Sequence, residues 1–144
     1  MEKEPWYRKQ LTREELITFI EEARTGKKNE KAFIGTVEPD AAQRIEDACG
    51  KKAGKIMLES GGIRHSYKKA NHNLKNDDLL HIVDVINTAT DIKLSDKKHQ
   101  NNECLKICKD IDGNITFVME VRIHFGGWLA LVTCYRKNRG GATL

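Results

Sequence analysis

The chain has 144 residues, of which 39% are hydrophobic and 32% charged, and its formal net charge is +4. This composition is typical of one compact globular domain and excludes a disordered chain. No apolar run approaches the roughly 20 residues that a membrane-spanning helix needs, and the N-terminus lacks the apolar core of a signal peptide, so we expect a cytoplasmic protein without membrane contact.

Helix and strand signals alternate through the first 90 residues. A capping box from Thr12 to Glu15 precedes apolar residues at helical spacing and predicts a helix over about 12–25. Residues 32–37 fit a short strand, and Pro39 begins a second predicted helix that ends at Gly50. The remaining predicted elements are a strand over 55–58, a turn over 60–62, a helix over 63–70, and a helix that Asn76 or Asp77 caps and that carries Leu79, Ile82, Val83 and Ile86 on one face.

The C-terminal third has the clearest pattern. Residues 91–94 are predicted to be extended and 95–102 to form a polar loop. A three-stranded meander then runs from about 103 to 137, with turns at Asp112-Gly113 and Gly126-Gly127 between β-branched and aromatic segments. The predicted fold class is therefore α+β, with N-terminal helices packed on a C-terminal antiparallel meander of three to four strands.

The predicted strand over 115–125 has two different faces. Its odd-numbered residues from 115 to 123 are all apolar and predict the face that meets the helices. A two-residue turn at Gly126-Gly127 would place Glu120 opposite Thr133, and residue 118 opposite Tyr135. A three-residue turn that includes Phe125 would shift this register. We expect the two-residue turn.

Charge is unevenly distributed along the chain. Residues 51–72 hold six Lys and Arg and one acidic residue, Glu59, together with His65, Tyr67 and His72. Such a segment suits an anionic partner such as nucleic acid, although a solvated lysine-rich surface would give the same pattern.

The sequence contains no recognisable cofactor motif. It has no phosphate-binding glycine loop and no HExxH, and its five histidines are scattered. The four cysteines also lack CxxC spacing; they are Cys49, Cys104, Cys108 and Cys134. We therefore expect reduced cysteines, no cofactor and no dependence on a metal.

Two clusters hold the residue types that cleave RNA without a metal. That reaction needs a base for the ribose 2′-hydroxyl, an acid for the leaving 5′-oxygen, and cations or hydrogen-bond donors for the phosphate. The first cluster is His65, Lys68, Lys69 and His72, and the second is Glu120, Arg122, His124, Thr133 and Tyr135. Each also has a plainer interpretation, as a surface histidine or as cross-strand ion pairs on a solvated sheet.

Three short motifs lie within residues 32–137. They are Ile63-Arg64-His65-Ser66-Tyr67-Lys68-Lys69-Ala70-Asn71-His72, Asp77-Asp78-Leu79-Leu80, and Leu131-Val132-Thr133-Cys134-Tyr135. Together they resemble the barnase/EndoU/colicin/RelE-like nuclease domains of phage and mobile elements. The resemblance implies a nuclease domain over 32–144 with a helical extension over 1–31. The first motif departs from the family where it has Asn71-His72-Asn73 instead of a His-Gly pair.

The resemblance also implies a function. It predicts a metal-independent endoribonuclease, an effector or toxin that acts on RNA such as tRNA and that an immunity protein would restrain. The implied catalytic residues are His65, Glu120, Thr133 and Tyr135, of which His65 would do acid–base work and the two hydroxyls would contact phosphate. The implied substrate-binding residues are Arg64, Lys68, Lys69, His72, Arg122 and His124. The alternatives are a non-catalytic module that binds nucleic acid or protein, and a structural phage component that assembles through its first helix.

Overall fold

The computed structural model describes residues 5–68, 74, 77–99, 102–111, 115–124 and 126–138, and for residues 97–99, 102, 124 and 138 the backbone alone. The elements in this part of the chain are α1 (Arg13–Thr25), β1 (Lys31–Thr36), α2 (Pro39–Cys49), β2 (Lys55–Glu59), α3 (Ser60–Lys68), a 3₁₀ turn (Asp78–His81), α4 (Ile82–Asn87), β3 (Asp91–His99), β4 (Asn102–Asp110), β5 (Ile115–His124) and β6 (Trp128–Asn138). None of the helices described combines the length and apolar character that crossing a membrane requires.

The strands form one six-stranded sheet in the order β1-β2-β6-β5-β4-β3. Neighbouring strands are antiparallel except β2 and β6, which run parallel. The predicted α+β class is confirmed. The sheet is larger than the predicted meander of three to four strands, because the antiparallel pair β1–β2 joins the meander β3–β6 through a pairing between distant parts of the sequence.

The hydrophobic core lies between the sheet and one layer of helices. All four helices contribute to it, with Ile20, Ile45, Ile63 and Ile86 as examples from α1 to α4. The sheet contributes the apolar face of β5, as predicted, through Phe117, Met119, Val121 and Ile123, whereas Ile115 is only half-buried. The other face of the sheet carries no helix among the described residues, and it holds the polar side chains of β5.

The first two helices begin and end as predicted, because local signals determine their ends. The Thr12 hydroxyl accepts a hydrogen bond of 3.2 Å from the Glu15 backbone N–H, and the Thr12 N–H donates one of 3.0 Å to the Glu15 carboxylate. Helix α2 begins at Pro39 and ends before Gly50, whose φ of 76° is a left-handed conformation that glycine adopts without strain.

Three other local predictions were wrong. The segment 60–62 is not a turn, since α3 begins at Ser60 directly after β2. The helix expected after Asp77 begins as a 3₁₀ turn, and the Asp77 side chain makes no capping hydrogen bond. Residues 95–99 belong to β3 instead of a loop, and Lys98 and His99 pair with Glu103 and Asn102 at the start of β4. The predicted turn at Asp112-Gly113 lies outside the described residues.

The β5–β6 register matches the prediction for an unexpected reason. His124 pairs with Trp128, which leaves three residues, 125–127, between the strands instead of two. A β-bulge at Val132 then offsets this extra residue, so that Glu120 lies opposite Thr133 as predicted. The pairing of residue 118 with Tyr135 is confirmed as well.

Candidate functional site

Helix α3 is held against β6 by backbone contacts. Strand β2 pairs with β6 only as far as Ala130, and α3 lies beside β6 beyond that point. A Cβ on Gly62 would lie 2.2 Å from the Leu131 carbonyl oxygen, so only glycine permits this approach. The backbone N–H of Cys134 also donates a hydrogen bond of 3.2 Å to the Ser66 hydroxyl. These contacts position α3, and with it His65, beside the central strands of the sheet.

We expect Gly62→Ala to lower the free energy of unfolding by about 1–3 kcal/mol, because the added methyl group forces α3 away from β6. Gly61→Ala is the matched control, since a Cβ at Gly61 meets nothing within 4 Å. Urea denaturation of both variants measures the difference. If Gly62→Ala were as stable as Gly61→Ala, the packing of α3 on β6 would be contradicted.

A cleft of about 390 Å³ opens where α3 begins, and we call it the His65 cleft. His65 and Arg122 both line it, although α3 and β5 are distant in sequence. Its other lining residues are Asn29, Glu30, Lys31, Glu59, Ser60, Gly61, Gly62, Leu131 and Val132. The geometry therefore joins one residue of the first predicted cluster to one residue of the second.

Glu59 is the residue of this cleft that sequence reasoning missed. The Arg122 guanidinium donates a hydrogen bond of 2.6 Å from Nη2 to Glu59 Oε1, and the two side chains are only 10% and 22% exposed. The sequence feature that could have identified Glu59 is that it is the one acidic residue in the basic segment 51–72. Because the carboxylate fixes the guanidinium, Glu59 determines where Arg122 presents its positive charge.

A second cleft adjoins the first and is strongly basic. It is lined by Arg24, Arg64, His65, Tyr67 and Lys68, and we call it the basic cleft. The Arg24 guanidinium carbon lies 3.8 Å from the centre of the Tyr67 ring, and burial raises the pKa of the Tyr67 hydroxyl. His65 lines both clefts, so an anion bound in either one would lie near its imidazole.

Arg64 has a structural role besides lining the basic cleft. Its guanidinium donates hydrogen bonds of 3.3 and 3.0 Å to the carbonyl oxygens of Ala23 and Lys28, and one of 3.1 Å to Asn29 Oδ1. These bonds link α3 to the end of α1 and the loop after it. Lys68, by contrast, is exposed at the end of α3.

The other predicted sheet residues lie beside the His65 cleft. Glu120 is two residues from Arg122 on the same face of β5, a spacing of about 7 Å. Thr133, opposite Glu120, is buried, and its hydroxyl has no hydrogen-bond partner within the described residues. Burial first and the charge of Glu120 second raise the pKa of the Tyr135 hydroxyl. The three residues thus form a polar row next to the cleft.

The side chains of three predicted substrate-binding residues lie outside the described part of the structure. Lys69 and His72 lie outside the described residues, and only the backbone of His124 is described, at the end of β5. Their roles stay predictions from the sequence.

Within the described residues, no group of three or more His, Cys, Asp or Glu side chains is arranged to hold a metal ion. The four cysteines are free thiols, and Cys104 and Cys108 both lie on β4. Comparisons with protein-family models, with curated proteins and with solved structures found no match. Function is therefore inferred from the chemistry of the two clefts.

Proposed function

We propose that the protein is a metal-independent endoribonuclease and that the His65 cleft is its active site. The observation that carries the proposal is the shared cleft of His65 and Arg122. A histidine exchanges a proton near neutral pH, and an arginine binds a phosphate through two parallel N–H groups. Cleavage of RNA without a metal requires proton transfer and stabilisation of the phosphate charge, and these two residues are suited to those functions.

The proposed reaction is attack by the ribose 2′-hydroxyl. The 2′-oxygen bonds to phosphorus, the bond from phosphorus to the 5′-oxygen breaks, and a 2′,3′-cyclic phosphate and a 5′-hydroxyl result. The proton lost by the 2′-hydroxyl is balanced by the one gained at the 5′-oxygen, and His65 carries at least one of these transfers. Arg122, held by Glu59, stabilises the negative charge that grows on the phosphate oxygens.

The surroundings of the cleft supply binding energy for a longer strand. Arg24 and Lys68 line the basic cleft next to His65 and would neutralise the phosphates that flank the cleavage site. Glu120, Thr133 and Tyr135 lie on the other side of Arg122, where their polar groups would contact the substrate. We extend the proposal to an effector or toxin of phage or mobile-element origin that acts on RNA such as tRNA and is restrained by an immunity protein.

We expect the purified protein to cleave RNA in the presence of excess EDTA and to leave 2′,3′-cyclic phosphate ends. A single 2′-deoxy nucleotide at the cleavage site should abolish the cut there, because it removes the attacking hydroxyl. Gel electrophoresis and mass spectrometry of the products measure both effects. Cleavage that stops in EDTA, or that continues at the 2′-deoxy position, would contradict the proposed chemistry.

The second candidate is a non-catalytic module that binds nucleic acid. The observation that favours it is the ion pair of Arg122 with Glu59, which already engages the cation that the reaction needs. In that case a panel of RNAs would bind in a salt-dependent manner and no product would form.

A further inference from the structure

Four aromatic side chains cluster on the sheet face opposite the helices. The Trp6 ring centre lies 4.9 Å from that of Trp128 and 5.7 Å from that of Tyr7, and the Phe33 ring centre lies 5.2 Å from that of Trp128. We call this cluster the aromatic platform. It includes both tryptophans of the chain. Tyr7 is 48% exposed, Trp6 and Trp128 are partly exposed, and Phe33 is buried beneath them.

Lysine ammonium groups border the aromatic platform. The Nζ atom of Lys55 lies 5.3 Å from the Trp128 ring centre, and that of Lys31 lies 5.9 Å from the Trp6 ring centre. Arg8 and Lys9 follow Tyr7 directly and are exposed. Lys52 is exposed in the loop whose backbone lies against Gly127. A partly exposed ring surface bordered by cations attracts a ligand that is both aromatic and anionic, as a nucleotide is.

Lys31 connects the aromatic platform to the His65 cleft. It lines that cleft, pairs with Glu59 where β1 and β2 run antiparallel, and reaches over the Trp6 ring. A strand of nucleic acid that follows this lysine would place one phosphate near Arg122 and the next bases against the rings. The distance along β2 between Lys55 and Glu59 is about 13 Å, which a few nucleotides span.

We infer that the aromatic platform is a base-stacking subsite for unpaired RNA, so that the substrate is a single strand or a loop. The inference rests on the proposed function for the phosphate contacts in the His65 cleft. Unpaired bases expose both faces to stacking, whereas bases in a duplex are stacked on each other and present only their edges. The aromatic platform should therefore bind unpaired RNA in preference to a duplex.

The plainer alternative is that the N-terminal segment only shields the sheet. The backbone N–H of Leu11 donates a hydrogen bond of 2.9 Å to the Phe33 carbonyl oxygen, which attaches this segment to β1. In that case changes to exposed Tyr7 would alter stability without altering RNA affinity.

The test titrates the His65→Ala protein, which is expected to degrade its ligand about 10²- to 10⁴-fold more slowly than the parent, with an unstructured RNA octamer. Because both tryptophans lie in the platform, stacking should quench the intrinsic tryptophan fluorescence in a saturable manner. The same octamer annealed to its complement should bind at least about tenfold more weakly. Tyr7→Leu should weaken binding of the single strand by about 5- to 100-fold, whereas Tyr7→Phe, which keeps the ring, should bind as the parent does.

A matched pair of lysine variants tests the charge contribution. Lys55→Gln should weaken binding and reduce the quenching, and Lys137→Gln, at the opposite end of β6 from Trp128, should change neither. Equal affinity for single strand and duplex would overturn the inference. So would a Tyr7→Leu protein that binds with the parent affinity.

A DNA octamer separates this inference from the proposed reaction. Its bases stack as RNA bases do, but without a 2′-hydroxyl it is not cleaved. Quenching by single-stranded DNA together with no cleavage of any RNA would support the subsite and refute the nuclease. Cleavage of RNA by the parent protein without fluorescence quenching would support the nuclease and refute the subsite.

Discussion

Replacing His65 with alanine is expected to lower the rate of RNA cleavage by about 10²- to 10⁴-fold, the usual contribution of a positioned acid or base. The free energy of unfolding should stay nearly unchanged, because His65 is exposed on α3 and alanine has a higher helix propensity than histidine. Initial rates on a fluorescently labelled RNA, together with a thermal denaturation curve, measure the two quantities separately.

His81 provides a matched control for this variant. It is an exposed histidine on the 3₁₀ turn, with its Nε2 3.9 Å from the Asp77 carboxylate and outside both clefts. His81→Ala should cleave RNA at the parent rate. If His65→Ala also retained the parent rate, His65 would carry no proton transfer and the assignment of the cleft would fail.

Features that depend on neighbouring residues could be predicted from the sequence. The capping box of α1 and the glycine that ends α2 each involve contacts within about one helical turn, so the local amino-acid sequence is enough to predict them. The apolar face of β5 follows from simple alternation. The pairing of Glu120 with Thr133 was predicted through a two-residue turn, and it holds only because the longer turn and the bulge at Val132 offset each other.

Features that depend on distant pairing could not be predicted. Nothing in the local sequence of β2 indicates that Lys55 will lie beside Trp128 in parallel orientation. That pairing brings Glu59 to Arg122, which lies 63 residues further along the chain. The polar end of β3 is similar, since Lys98 and His99 are not strand-forming residue types and are extended where they pair with β4. The candidate site was therefore predicted as two clusters, and only the fold shows which members meet.

An ion pair holds the C-terminal end of β6. Asp78 of the 3₁₀ turn accepts two hydrogen bonds from Arg136, of 2.9 Å from Nε and 2.6 Å from Nη2. The Asp78 and Arg136 side chains are only 4% and 15% exposed. A two-bond pair in this geometry connects the turn before α4 to the end of the strand that carries Thr133 and Tyr135.

We expect Asp78→Ala to lower the free energy of unfolding by about 3–5 kcal/mol, because it removes this carboxylate from the mostly buried Arg136 guanidinium. Urea denaturation at constant pH and ionic strength measures the loss. Asp77→Ala is the matched control: the Asp77 side chain is 65% exposed, so its removal should change stability by no more than about 0.5 kcal/mol. A loss for Asp78→Ala as small as that for Asp77→Ala would contradict the buried pair.

The double variant Asp78→Leu/Arg136→Met separates charge from packing. If the loss in Asp78→Ala comes from an uncompensated buried charge, replacing both partners with apolar side chains should recover most of it. If it comes from lost contacts of the 3₁₀ turn, the double variant should be no more stable than Asp78→Ala. Because neither residue lines the His65 cleft or the basic cleft, the fraction of either variant that is folded should cleave RNA at the parent rate.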